Sequence, residues 1–169
     1  MTSNASDQSL LAQLGTDSDC QSGIPQYSMW WEFFPAPSVP LDLPLQPGDS
    51  VTATVTFQQG QFQLMIDDPE EGVHFSTTQA GQVSDTSFAE CIAEAPTIID
   101  DPATNRGYVA QLTDFGTVSI LCQLNNNEPI ANGPEDILYQ MQTDAGLAKA
   151  TTSDLDQTGS TFTVQWHHG

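Results

Sequence analysis

The chain has 169 residues, with 22 acidic side chains against two basic ones (Arg106 and Lys149) and a formal net charge of -20. Its length fits one domain, residues 1–169, with a hydrophobic core of its own. The charge argues against nucleic acid and anionic membrane surfaces as partners, because both would be repelled.

Period-2 and β-rich segments recur along the chain. They predict strands at Ser9–Leu14, Tyr27–Phe34, Val51–Phe57, Gln61–Ile66, Gly72–Thr77, Ser87–Glu94, Tyr108–Leu112, Thr117–Leu124, Ile137–Gln142, Leu147–Thr152 and Thr161–His167. The clusters QPGD, DDPEEG, DDPATNRG, NNNEPIANGPED and DQTGS separate them as turns and loops. Asp100-Asp101 reads as a turn before Pro102. Helical periodicity is weak everywhere, with one short helix conceivable near Pro134–Leu138. Many short strands at regular spacing argue for an antiparallel sandwich or barrel. In VTATVTF, Val51, Ala53, Val55 and Phe57 fall on one face and the threonines on the other, a half-buried alternation.

With few cations to meet so many carboxylates, the chain is expected to be most comfortable in acid, where repulsion shrinks. Cys20, Cys91 and Cys122 form no CxxC, so zinc is not suggested; one disulfide plus a free thiol, or three thiols, both fit. No apolar run approaches a membrane span. The polar start MTSNASDQSLL lacks the basic region of a signal peptide. Asn4-Ala5-Ser6 fits a glycosylation sequon, a triplet common by chance.

Two stretches carry carboxylates among apolar neighbours. In YSMWWEFFP, Trp30, Glu32 and Phe34 share one face of a strand, Trp31 and Phe33 the other. One face can fill the core; the other can present a platform for carbohydrate or a groove for peptide. In SFAECIAEAPTI, Phe88, Glu90, Ile92 and Glu94 share a face, opposite the small residues Ala89, Cys91 and Ala93. Buried carboxylates without cations are costly, so the glutamate face is expected to line a concave, watered surface. Burial beside aromatics would there make an acid-range general base. Gln13 stands in an apolar run just before Gly15. A glutamine there is most simply a satisfied strand residue, yet its amide can also donate to an oxyanion without titrating.

QLG at 13–15, YSMWWEFFP at 27–35 and FAECIAEAP at 88–96 resemble, in that order, the glutamic peptidases (eqolisins, peptidase family G1). DFGTVSI and the closing TTSDLDQTGSTFTVQWH also look like that family's terminal strands. The resemblance implies an all-β fold, an antiparallel β-sandwich of concanavalin A-like type. It implies a secreted endopeptidase cleaving polypeptides in acid with no metal or cofactor. Carried over, Gln13 and Glu94 are the catalytic pair, and Trp30 and Glu32 are groove residues near them. Glu90 and Phe34 join them as expected substrate-binding residues. The family has further strands before Q-x-G, whereas only MTSNASDQ precedes the corresponding segment here, so the chain is expected to be incomplete at its start. The family aspartate of that approach has no counterpart, its position falling near Ser3. Missing strands would leave a sheet edge open.

The competing reading is a non-catalytic sandwich binding carbohydrate or peptide on the same aromatic face. A glycosidase would need two carboxylates across a groove. Glu90 and Glu94 on one strand stand roughly 13 Å apart, too far for either standard arrangement. Adjacent His167 and His168 point to opposite faces of a strand and chelate poorly, and His74 reads as structural. Asp67, Asp68, Glu70 and Glu71 match no EF-hand spacing.

Overall fold

The computed structural model describes residues 11–81, 89–101, 104, 106–133 and 137–169. Side chains at 99–101 are outside that description. The expected positions Ser3, Asn4, Ser9, Ser87 and Phe88, and most of the helix expected near Pro134–Leu138, also lie outside it. Ile137 and Leu138 carry no regular structure. Every paired strand described is antiparallel, and the chain forms two compact units, Met1–Thr86 and Ser87–Gly169.

In the first unit, β1 (Leu11–Gln21), β2 (Ile24–Phe34) and β3 (Val39–Leu41) form one sheet in that order. β4 (Thr52–Gln58), β5 (Gln61–Asp68) and β6 (Val73–Ala80) form another. Two-residue turns close the β1–β2 and β4–β5 hairpins, with positive φ at both Ser22-Gly23 and Gln59-Gly60. That backbone matches the right-handed twist of the strands it joins. The two sheets share a core of Met29, Ile66 and Val73, flanked by Leu14, Leu41, Leu43, Leu45, Val51 and Phe75. Phe33 and Phe62 meet edge to face with centroids 5.0 Å apart.

β5 shows the physical logic most plainly: Phe62, Leu64, Ile66 and Asp68 are buried, while Gln61 and Gln63 are exposed. β4 keeps the face assignment expected for VTATVTF, since Val55 pairs with Leu64 and Phe57 with Phe62. Yet Val55 stays 41% exposed, because β4 is an end strand of its sheet, with β5 its one strand neighbour among the described residues.

In the second unit, β7 (Thr97–Asp101) and β8 (Arg106–Val109) pair as a hairpin. β9 (Thr117–Leu121), β10 (Met141–Gln142), β11 (Ala148–Thr152) and β12 (Thr161–Trp166) form a sheet in the order β10-β11-β12-β9. Ala95, Leu112, Ala150 and Val164 are its buried core, with Phe115, Ile120, Phe162 and Trp166 packed against them. The Trp166 indole N–H donates to the Leu112 carbonyl, 3.0 Å away. Cys91 and Cys122 are bridged and Cys20 is a free, exposed thiol.

Three expectations are corrected. Residues 89–94 form no strand: alternation was present in the sequence, but among the described residues no neighbouring backbone supplies a ladder. Asp101 is no turn residue, since β7 runs through it and pairs with Arg106. Of the strand expected at Ile137–Gln142, Met141–Gln142 alone is paired. Strands β3 and β7 were not foreseen; Pro40 within VPL and the two aspartates within TIIDD obscured them.

Candidate active site

β1 and β2 are registered so that Leu11, Gln13, Gly15 and Asp17 lie opposite Phe34, Glu32, Trp30 and Ser28. Paired residues share a face. Met29 belongs to the core, so Trp31 and Phe33 also point that way and Trp30, Glu32 and Phe34 point outward. Gln13 therefore lies on the outward face with Trp30, Glu32 and Phe34.

On this face the Gln13 side-chain amide donates to the Glu32 carboxylate, both half-buried. The bond selects which end of the amide faces Glu32. An amide nitrogen carries two protons, so one remains to donate elsewhere. The next rung is Gly15, Trp30 and Pro40. A Cβ on Gly15 would lie 3.6 Å from the Trp30 ring. That is an ordinary contact distance, so the Trp30 indole lies over β1 at Gly15, one rung from Gln13 and Glu32. Phe34 is 51% exposed at the end of the row. Asp17 stands exposed on the same face, a carboxylate that sequence reasoning passed over although it sits four residues beyond Gln13 on one strand.

Glu90 and Glu94 belong to the second unit and are both exposed. Their exposure agrees with the expectation that the glutamate face meets water. The segment that bears them pairs with no strand among the described residues, and it is anchored otherwise. Cys91 is bridged to Cys122, Ala95 is buried in the core, and the Pro96 carbonyl accepts from the Ala110 N–H at 2.9 Å. Ala93 is half-buried and Ala95 buried while Ile92 and Glu94 are exposed; Ala89 and Cys91 are exposed too, so of the small face expected to pack, Ala93 alone turns inward. Among the described residues, no group of three His, Cys, Asp or Glu side chains is placed to hold a metal ion.

A model of the Peptidase A4 family matches residues 3–166. The chain belongs to the Peptidase A4 family. The resemblance to glutamic peptidases read from QLG, YSMWWEFFP and FAECIAEAP is thereby borne out. No curated protein matches the chain. Among solved structures, this Peptidase A4 chain is similar to aspergilloglutamic peptidase from Aspergillus niger. The two share 21% identity with a TM-score of 0.75, covering 98% of this chain and 94% of that one. At that identity the likeness shows the fold, the all-β antiparallel sandwich that the family resemblance implied, where strand spacing alone had left sandwich or barrel open. Among the described residues of this Peptidase A4 member, no helix is long and apolar enough to cross a membrane.

Proposed function

We propose that the chain is a secreted, acid-acting endopeptidase, working as one functional domain on polypeptides through Gln13 and Glu94. The observation that carries the proposal is the Gln13 amide held by Glu32 beside Trp30 on the outward face of β1 and β2.

In this reading the Glu94 carboxylate takes a proton from the attacking water, and the hydroxide so formed adds to the scissile carbonyl. The free N–H of Gln13 donates to the oxyanion of the tetrahedral intermediate. Protonated Glu94 then returns its proton to the leaving amine. A glutamine suits acid chemistry because it remains a neutral donor at every acidic pH, whereas a second carboxylate would share a proton with the first. Glu32 is a positioning residue: it orients the amide. Trp30, Phe34 and Glu90 offer contacts to the substrate. The exposure of Glu94 allows access to water and substrate. Secretion is supported by the Cys91–Cys122 bridge, a linkage that persists in oxidising compartments.

The test is peptide hydrolysis from pH ~2 to ~7, the span around the glutamate pKa, comparing wild type with Glu94→Gln and Gln13→Ala. Cleavage in acid, abolished by the first change and cut about 10²–10³-fold by the second, supports the assignment. An inert wild type, or full activity in either folded variant, overturns it.

A further inference from the structure

The outward face of the β4–β6 sheet carries a groove of about 250 Å³ lined by Thr56, Gln58, Gln59, Gln61, Gln63 and Thr78. Its chemistry is uniform. Thr56, Gln63 and Thr78 form one rung across all three strands, and Gln58 and Gln61 form the next. Gln59 sits at the hairpin tip with φ 52°, a left-handed backbone that a glutamine seldom adopts. There it adds a fourth amide to the rim. Every lining side chain is neutral, in a chain whose net charge is -20. None of the six forms a side-chain hydrogen bond with another described residue.

This face is distinct from the one that bears Gln13. β5 turns Phe62, Leu64 and Ile66 into the core and Gln61 and Gln63 outward. The Gln13 amide lies on the outward face of the opposite sheet of the same unit. The groove is thus on the back of the sandwich formed by the first unit.

We propose that this groove docks a neutral, hydroxyl-rich polysaccharide. Each glutamine amide offers two donors and an acceptor, and each threonine hydroxyl both donates and accepts. Sugar hydroxyls need that mixture. The groove holds no charge to pair with an ionic ligand. It has no apolar wall among its lining residues for the side chains of a peptide. A second copy of the chain is disfavoured near neutral pH, where two bodies of formal charge -20 repel.

The experiment is affinity electrophoresis of the full chain in gels containing soluble β-glucan, hydroxyethylcellulose or starch. The variants are Gln61→Ala with Gln63→Ala together, and Gln58→Ala alone in case the double variant does not fold. Retardation by at least one polysaccharide, weakened about ten-fold in the double variant and partly in the single one, is the expected result. Gln13→Ala should be retarded like wild type, and cleavage of a short peptide should be unchanged in the groove variants. No retardation by any of the three, or equal retardation of the folded groove variants, overturns the proposal. Loss of retardation in Gln13→Ala would move binding to the other face and overturn it as well. A raised KM for a protein substrate in the groove variants, with no polysaccharide bound, would make the groove a polypeptide exosite instead. Failure here leaves peptidase activity untouched, so the two readings fall separately.

Discussion

Gln13 and Glu32 sit opposite one another on the β1–β2 ladder, and the amide of the first donates to the carboxylate of the second. The bond sets the amide's orientation on a half-buried face. If positioning is the role of Glu32, the outcome depends on whether position 32 can still accept. Glu32→Gln keeps an acceptor oxygen and should retain a measurable fraction of kcat. Glu32→Ala removes it and should lower kcat about ten-fold or more, with KM little changed, since a charge-assisted hydrogen bond contributes about 1.5–3 kcal/mol. Steady-state kinetics on one peptide separates the two variants.

Reduction should reach the Glu94 segment first. Residues 89–94 have no ladder among the described residues, and Cys91 ties them to Cys122 across a separation of 31 residues. Closing a loop of that length stabilises the fold by about 3–4 kcal/mol on the chain-entropy estimate. Cys91→Ser with Cys122→Ser should lower stability by that order in chemical denaturation. Cys20→Ser, at an exposed free thiol, should leave it unchanged.

Gly81 is a tighter site than Gly15. A Cβ there would meet Phe33 at 2.9 Å and Phe62 at 3.2 Å, the two rings already packed edge to face. Gly81→Ala should destabilise by about 1–3 kcal/mol through overpacking. Gly15→Ala places its methyl at ordinary contact distance from Trp30 and should fold normally. Urea melts of both proteins check the contrast.

Asp156 organises the turn before β12. Its carboxylate accepts from the Thr158 hydroxyl at 2.6 Å and from the backbone N–H groups of Thr158, Ser160 and Thr161. The Thr158 hydroxyl first, then the Thr161 N–H, holds it below its ordinary value of 3.8. Because the folded value is the lower one, its stabilising effect is complete above the ordinary value and is lost as pH falls through the folded value. The difference in Tm between wild type and Asp156→Asn should therefore be flat above about pH 5 and shrink in stronger acid. A side-chain NMR titration of Asp156 gives the folded value directly.

Asp68 is fully buried, with one oxygen accepting from the Glu70 and Glu71 N–H groups and Oδ2 without a partner among the described residues. Asp68→Asn retains the acceptor and should be near neutral in stability. Asp68→Ala strands two backbone donors and should cost about 1–3 kcal/mol. Thermal melts distinguish them.

Much of this molecule was legible along the chain, and the reason is local. Alternation shows which side chains share a face, so the outward row of Trp30, Glu32 and Phe34 and the inward row of β5 follow from sequence. Motif order pointed to the family on the same footing. Alternation does not say which backbone will lie alongside. SFAECIAEAPTI has the pattern of a strand, yet residues 89–94 pair with nothing among the described residues, whereas the short VPL found β2. Strand pairing, the choice of Cys122 over Cys20 for Cys91, and the meeting of Gln13 with Glu32 join residues far apart in the chain. Local preference is silent about such contacts; they are decided by which register buries Met29 and Ile66 together and by which thiols that packing brings within bonding reach.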